Sequence, residues 1–164
     1  AAAATPQLAD NAAVAADASS EFDCVLLDAY DGRGCVPTHL QAADFLSDLS
    51  RILRVNRGTE TGAAVIANLW QGSSAARGCT QAFARALHRA VGPVFSIDVR
   101  GHEANIVLIA LRAGPFDGTI EELGATVRSK LERSAAGAVH AEHLEPALCE
   151  TMRANVETFK PFPL

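Results

Sequence analysis

The chain has 164 residues, a net charge of −5 and a hydrophobic fraction of 49%, enough for one domain with a real core. The charge argues against a nucleic-acid partner, which needs a basic face. The longest apolar run, Ile106–Leu111, is too short to span a bilayer, so no membrane partner is expected.

Residues 1–20 are alanine-rich and polar, with no aromatic residue and no apolar periodicity to mark a buried face. They read as a flexible leader, or as a linker from the middle of a longer parent chain. No Lys or Arg precedes Arg33, so no secretory signal or organelle presequence is expected there. The continuous apolar run Val25-Leu26-Leu27 predicts a strand over 23–28, covered on both faces as in a parallel sheet, with Cys24 as a small buried hydrophobe. Such a strand delivers Asp28 to its carboxyl end, the edge where open α/β sheets bind ligands, and Asp31 follows in the loop. Spacing alone fits two readings equally: a pair of functional carboxylates, or an Asp28 that caps neighbouring backbone beside a solvated turn residue.

Pro37 and a Thr38-x-x-Gln41 capping box predict the start of a helix. Its inner face carries Ala42, Phe45, Leu46, Leu49, Ile52 and Leu53, and Arg51, Arg54 and Arg57 crowd its end. Asn56 and Gly58 stop it. A second buried strand over 63–69 ends at Asn68-Leu69-Trp70. Ser73 or Ser74 caps the next helix, with Cys79, Phe83, Ala86, Leu87 and Ala90 inward and Gly92-Pro93 at its end. The next two strands, 94–100 and 104–111, are separated only by Gly101-His102-Glu103. So short a connection predicts an antiparallel hairpin, with the last strand inserted between the second and third. A helix opened by a Thr119-x-x-Glu122 capping box follows, with Ile120, Leu123, Val127 and Leu131 inward. Another carries Leu144, Leu148, Met152, Val156 and Phe159, and Pro161 and Pro163 end the order.

Cys24, Cys35, Cys79 and Cys149 are scattered, with no C-x-x-C pair, which predicts free thiols in a reducing compartment, the cytoplasm. His140 and His143 lack further ligands at a convincing spacing, so no metal is expected. Cys35 and His39 do not define a nucleophile pair across a helix start.

The run Phe22-Asp-Cys-Val-Leu-Leu-Asp-Ala-Tyr-Asp31, then Val36-Pro-Thr-His-Leu40, then Asp44-Phe-Leu46, resembles the second half of the spermidine-synthase-like transferases dependent on S-adenosylmethionine (AdoMet). The likeness covers residues 22–112 and continues more weakly beyond. It implies a Rossmann-like methyltransferase sheet, here partial, whose parallel strands end in an antiparallel hairpin with helices on both faces, and it makes residues 21–164 the C-terminal half of such a domain. It implies that Asp28 and Asp31 are catalytic, with Asp31 holding the amine substrate. By the same likeness Asp28, Ala29, Val36 and Pro37 lie beside the cofactor, and Tyr30, Asp31, His39, Asn68, Leu69 and Trp70 face the substrate. The cofactor implied is AdoMet, or its decarboxylated form for aminopropyl transfer. The partners implied are an amine-bearing substrate (a protein lysine or a small amine) and either the missing N-terminal half or a second copy.

Two departures move the reading toward the methyltransferase-like branch. Aminopropyltransferases carry Asp-Ser-Ser-Asp or Asp-Thr-Ser-Asp before a proline, where this chain has Asp28-Ala29-Tyr30-Asp31-Gly32, and a glutamine where it has Asn68. The glycine-rich first turn that cradles the cofactor is absent, and Gly32-x-Gly34 is no substitute because it follows the wrong strand and opens no helix immediately. A non-catalytic scaffold is the third reading, and that missing turn is its evidence.

Overall fold

The computed structural model describes residues 22–54, 62–102, 104–112, 118–138 and 146–164. Five strands form one mixed sheet: β1 (Cys24–Leu27), β2 (Ala64–Trp70), β3 (Val94–Asp98), β4 (Asn105–Leu111) and β5 (Lys160–Pro161), in the order β1-β2-β4-β3-β5. β1 and β2 are parallel, whereas β4 runs antiparallel to both β2 and β3. The inserted hairpin strand is therefore where the short connection places it. The strands of the hairpin are shorter than expected, ending at Asp98 and starting at Asn105, and Gly101 takes a φ of +78° in the turn between them.

Helices cover both faces, giving a partial Rossmann-like α/β sheet. On one face α1 (Ala43–Ile52) and α2 (Ser74–Ala90) bury Leu46, Leu49, Phe83, Ala84 and Leu87 against Val65, Ala67, Leu69, Leu108 and Ala110. On the other, α3 (Ile120–Ala138) packs Leu123 and Val127 on Phe95, Ile109 and Leu111, and Phe159 stacks on Phe95 with ring centroids 5.0 Å apart. α4 (Pro146–Val156) follows α3. Among the described residues no helix is long and apolar enough to cross a membrane.

The starts of the helices follow their side-chain chemistry. Ser73 caps α2, its Oγ accepting from the Ala76 N–H at 3.1 Å. At α3 the capping box closes in both directions: the Thr119 N–H donates to Glu122 Oε2, and the Glu122 N–H donates to Thr119 Oγ1. The box at Thr38 does not form. Thr38–Gln41 is a short 3₁₀ turn, the Gln41 amide donates to the Val36 carbonyl, and α1 begins only at Ala43. The residue pattern is the same as at Thr119, but the Gln41 amide already has an acceptor in Val36.

Five further expectations need correction. β1 is an edge strand among the described residues, so only Val25 and Leu27 pack on the core. Cys24 is exposed, and Leu26 is 72% exposed on a face that no described element covers. Cys35 and Cys79 are joined in a disulfide between the loop after β1 and α2. Their separation of 44 residues hid a pairing that tertiary proximity creates, and the case for free thiols in a reducing compartment loses its footing. The Pro161 segment, expected to end the order, adds a two-residue strand to β3. Proline is tolerated there because it lies on the sheet's edge. Met152, expected inward, is exposed. Asn56, Gly58, His140, His143 and Leu144 lie outside the described residues.

Two glycines should respond to a methyl group with opposite signs. Gly92 ends α2 at a φ of +145°, and a Cβ there would stand 2.5 Å from the Leu111 carbonyl oxygen. Gly78 lies within α2 with nothing within 4 Å of a built Cβ. Gly92→Ala should lower the melting temperature, and Gly78→Ala should raise stability by about 0.5–1 kcal/mol. Thermal melts of the two variants check this.

Candidate functional site

β1 and β2 run parallel, so Asp28 and the Asn68–Trp70 end of β2 reach the same carboxyl edge. There Asn68 Nδ2 donates to Asp28 Oδ1 at 3.2 Å. The Tyr30 hydroxyl donates to the Asn68 carbonyl at 2.8 Å, tying the loop after β1 back onto β2. Partial burial is the main cause that raises the Tyr30 pKa, with a further rise from the neighbouring Asp28 charge. Asp28, Tyr30 and Asn68 thus form one polar cluster on a rim whose Asp28 carboxylate is exposed.

Asp31 has a different setting. Its Oδ1 accepts from the backbone N–H groups of Arg33 (2.8 Å) and Cys35 (3.0 Å), and its Oδ2 accepts from Arg33 Nε and Nη2 at 3.2 and 3.0 Å. Backbone bonding adds the Asp31 N–H to the Cys35 carbonyl and the Gly34 N–H to the Asp31 carbonyl. Both carboxylate oxygens are therefore committed within the loop. The Cys35 and Arg33 amides, and after them the Arg33 guanidinium, hold the Asp31 carboxyl below the usual carboxylate range.

The loop is also clamped from outside. A Cβ built at Gly34, whose φ is +77°, or at Gly72 would overlap the Trp70 indole, so the ring lies against two glycine backbones. The Cys35–Cys79 bridge fixes the end of the loop to α2. Trp70 therefore serves as a spacer between the two loops, with 37% of its surface still exposed. Sequence reasoning singled out Trp70 but not the two glycines it needs. The signal was faint: Gly72 lies two residues past the one tryptophan, and nothing local links Gly34 to it.

The remaining expected site residues divide by strand and turn geometry. Leu69 points into the core, 3% exposed, because side chains alternate along β2 and Asn68 takes the other face. Val36 is likewise buried against the α1–α2 core, and its carbonyl accepts from Gln41. Neither side chain reaches the rim with Asp28, so only their backbones could meet a ligand. Ala29 and Pro37 are partly exposed, and His39 is exposed on the 3₁₀ turn.

AdoMet fits these residues in part. Ala29 and Pro37 are each apolar and partly exposed, as a contact with an adenine ring would need, and the exposed Asp28 carboxylate suits a neighbouring sulfonium charge. The turn that opens α2 at this rim carries a single glycine, Gly72, filled by the Trp70 indole, and no Gly-x-Gly pair among the described residues opens a helix here to take the cofactor's other end.

No protein-family model matches the chain, and no curated protein matches it. A similar solved structure is that of a probable spermidine synthase from Corynebacterium glutamicum ATCC 13032, at 19% identity and a TM-score of 0.43. The match covers 68% of this chain and 38% of that one, so this chain spans well under half the length of that relative.

Two measurements follow from the loop. A folded-state pKa below the unfolded value of about 4 means that ionised Asp31 contributes stability above that value. The contribution fades as pH falls through the folded pKa. The stability difference between the wild type and Asp31→Asn should therefore be full near neutrality and close in acid, as read by denaturant melts across pH. Gly34→Ala should displace the indole, and because the chain has one Trp, its emission spectrum should shift while far-ultraviolet circular dichroism stays unchanged.

Proposed function

We propose that this chain is the C-terminal part of an AdoMet-dependent transferase. In this reading it is a methyltransferase of the spermidine-synthase-like group that acts on an amine-bearing acceptor such as a protein lysine or a small amine. The observation that carries the reading is the Asp28 carboxylate, delivered by β1 to the carboxyl edge of the sheet and held from β2 by Asn68. The motif residues Phe22–Asp31 and the antiparallel strand inserted between β2 and β3 support it further.

An amine acceptor must shed a proton and present its lone pair. AdoMet, when bound, supplies an electrophilic carbon beside a sulfonium. Asp28 accepts the proton from the acceptor or orients the amine by a hydrogen bond. Asn68 is a positioning residue that fixes one carboxylate oxygen, and Tyr30 in turn holds the Asn68 backbone. Ala29 and Pro37 would stand at the cofactor's adenine, with the Val36 backbone between Pro37 and the loop. His39 and Trp70 would border the acceptor.

Engagement of both Asp31 oxygens by its own loop favours methyl over aminopropyl transfer. In the aminopropyl reading the second carboxylate grips the amine substrate, and here that grip would require the Arg33 ion pair to open. The upstream cofactor-binding half would come from the same parent protein or a second copy. A parent that lacks a strand–Gly-x-Gly–helix unit upstream would instead support the non-catalytic scaffold.

The test is steady-state kinetics on the full parent protein. Asp28→Asn should lower kcat by roughly 10²–10⁴-fold, the scale of losing a general base, with folding verified by thermal melts. Near-normal turnover in a folded Asp28→Asn protein would reduce the strand-end aspartate to a structural role and overturn the reading.

A further inference from the structure

A concavity lies away from this rim. Between α1 and α2 runs a cleft of about 590 Å³, within the range of small-molecule sites, lined among others by Ser47, Ser50, Arg51, Arg89 and Arg112. Arg112 follows Leu111, the partner of Ala64 at the start of β2, so it stands at the sheet edge opposite Asp28 and Asn68. The cleft is thus separate from the proposed transfer site.

Three guanidinium groups line this cleft in a chain whose net charge is −5. Asp48 pairs with Arg51 at 2.9 Å, and among the described residues it is the one carboxylate that pairs with any of the three. Arg112 donates through Nη1 to Ser50 Oγ, while its Nε is buried without a hydrogen-bond partner. Arg89 makes no hydrogen bond or ion pair within the described residues. Arg51 and Arg89 each sit in the last turn of a helix, where a cation complements the dipole. That accounts for each alone. It does not account for their convergence with Arg112 on one concave surface.

We infer that this cleft binds a phosphate-bearing small molecule. With one of the three cations neutralised by Asp48, the remaining excess suits a multiply charged oxyanion. Planar guanidinium forks match phosphate oxygens in pairs. Ser47 and Ser50 supply hydroxyl donors beside them. The inference does not depend on the transferase reading, because it uses none of that site's residues.

Titration calorimetry with pyrophosphate as the probe, at low ionic strength, tests it. Wild-type protein should bind pyrophosphate with an affinity that falls as salt is added, and acetate should bind far more weakly. Arg89→Gln, on an exposed position, should weaken binding about tenfold, the scale of one charge-assisted hydrogen bond. Arg133→Gln on α3, across the sheet, removes the same charge and should leave the affinity unchanged. Absence of pyrophosphate binding at millimolar concentration, equal binding of acetate, or equal losses in the two variants would each overturn the assignment.

Discussion

The pairing of β2 with β4 is the constraint on which the rest of the structure depends. Ala64–Trp70 and Asn105–Leu111 face each other along their whole length in antiparallel register. β2 is thereby flanked by β1 on one side and β4 on the other, and both of its faces are settled. Val65, Ala67 and Leu69 go to the α1–α2 layer, and the intervening positions go to the other face. A slip of one residue would turn Asn68 into the core and Leu69 toward Asp28. The polar cluster at the rim therefore rests on this register as much as on its own hydrogen bonds.

Periodicity and loop length made most of this architecture legible. The three residues between two apolar runs could only form a hairpin, and the long helical repeats of α2 and α3 named Phe83, Leu87, Leu123 and Val127 correctly as core. What stayed hidden was set by distant partners. Leu26 reads as core in a run of three apolar residues, yet its exposure depends on what lies beyond β1, which no local pattern encodes. Thr38 and Thr119 head similar four-residue motifs, and only one closes, because Gln41 finds a carbonyl elsewhere. Cys35 and Cys79 meet because a strand-end loop and a helix start share one sheet edge.

The same division holds at the candidate site. That Asp28 would reach the carboxyl edge follows from strand direction and was readable. The fate of Asp31 was not. Its loop contains a glycine at positive φ and an arginine two residues on, and these turn the carboxylate inward to become the loop's own anchor. Two aspartates three residues apart thus have unlike roles: one is held from a neighbouring strand and left facing solvent, the other is consumed in shaping the segment between them.

The clamped loop also bears on how any ligand at this rim would be held. Ordering a backbone residue costs on the order of 1–2 kcal/mol, and a loop that orders only when its ligand arrives subtracts that cost from affinity. Between Asp28 and Pro37 the cost has already been met by folding, through the Asp31 staple, the glycine-backed indole and the covalent tie to α2. This wall of the site is preorganised. It cannot fold over a ligand as a lid, so whatever closure the chemistry needs has to come from another segment.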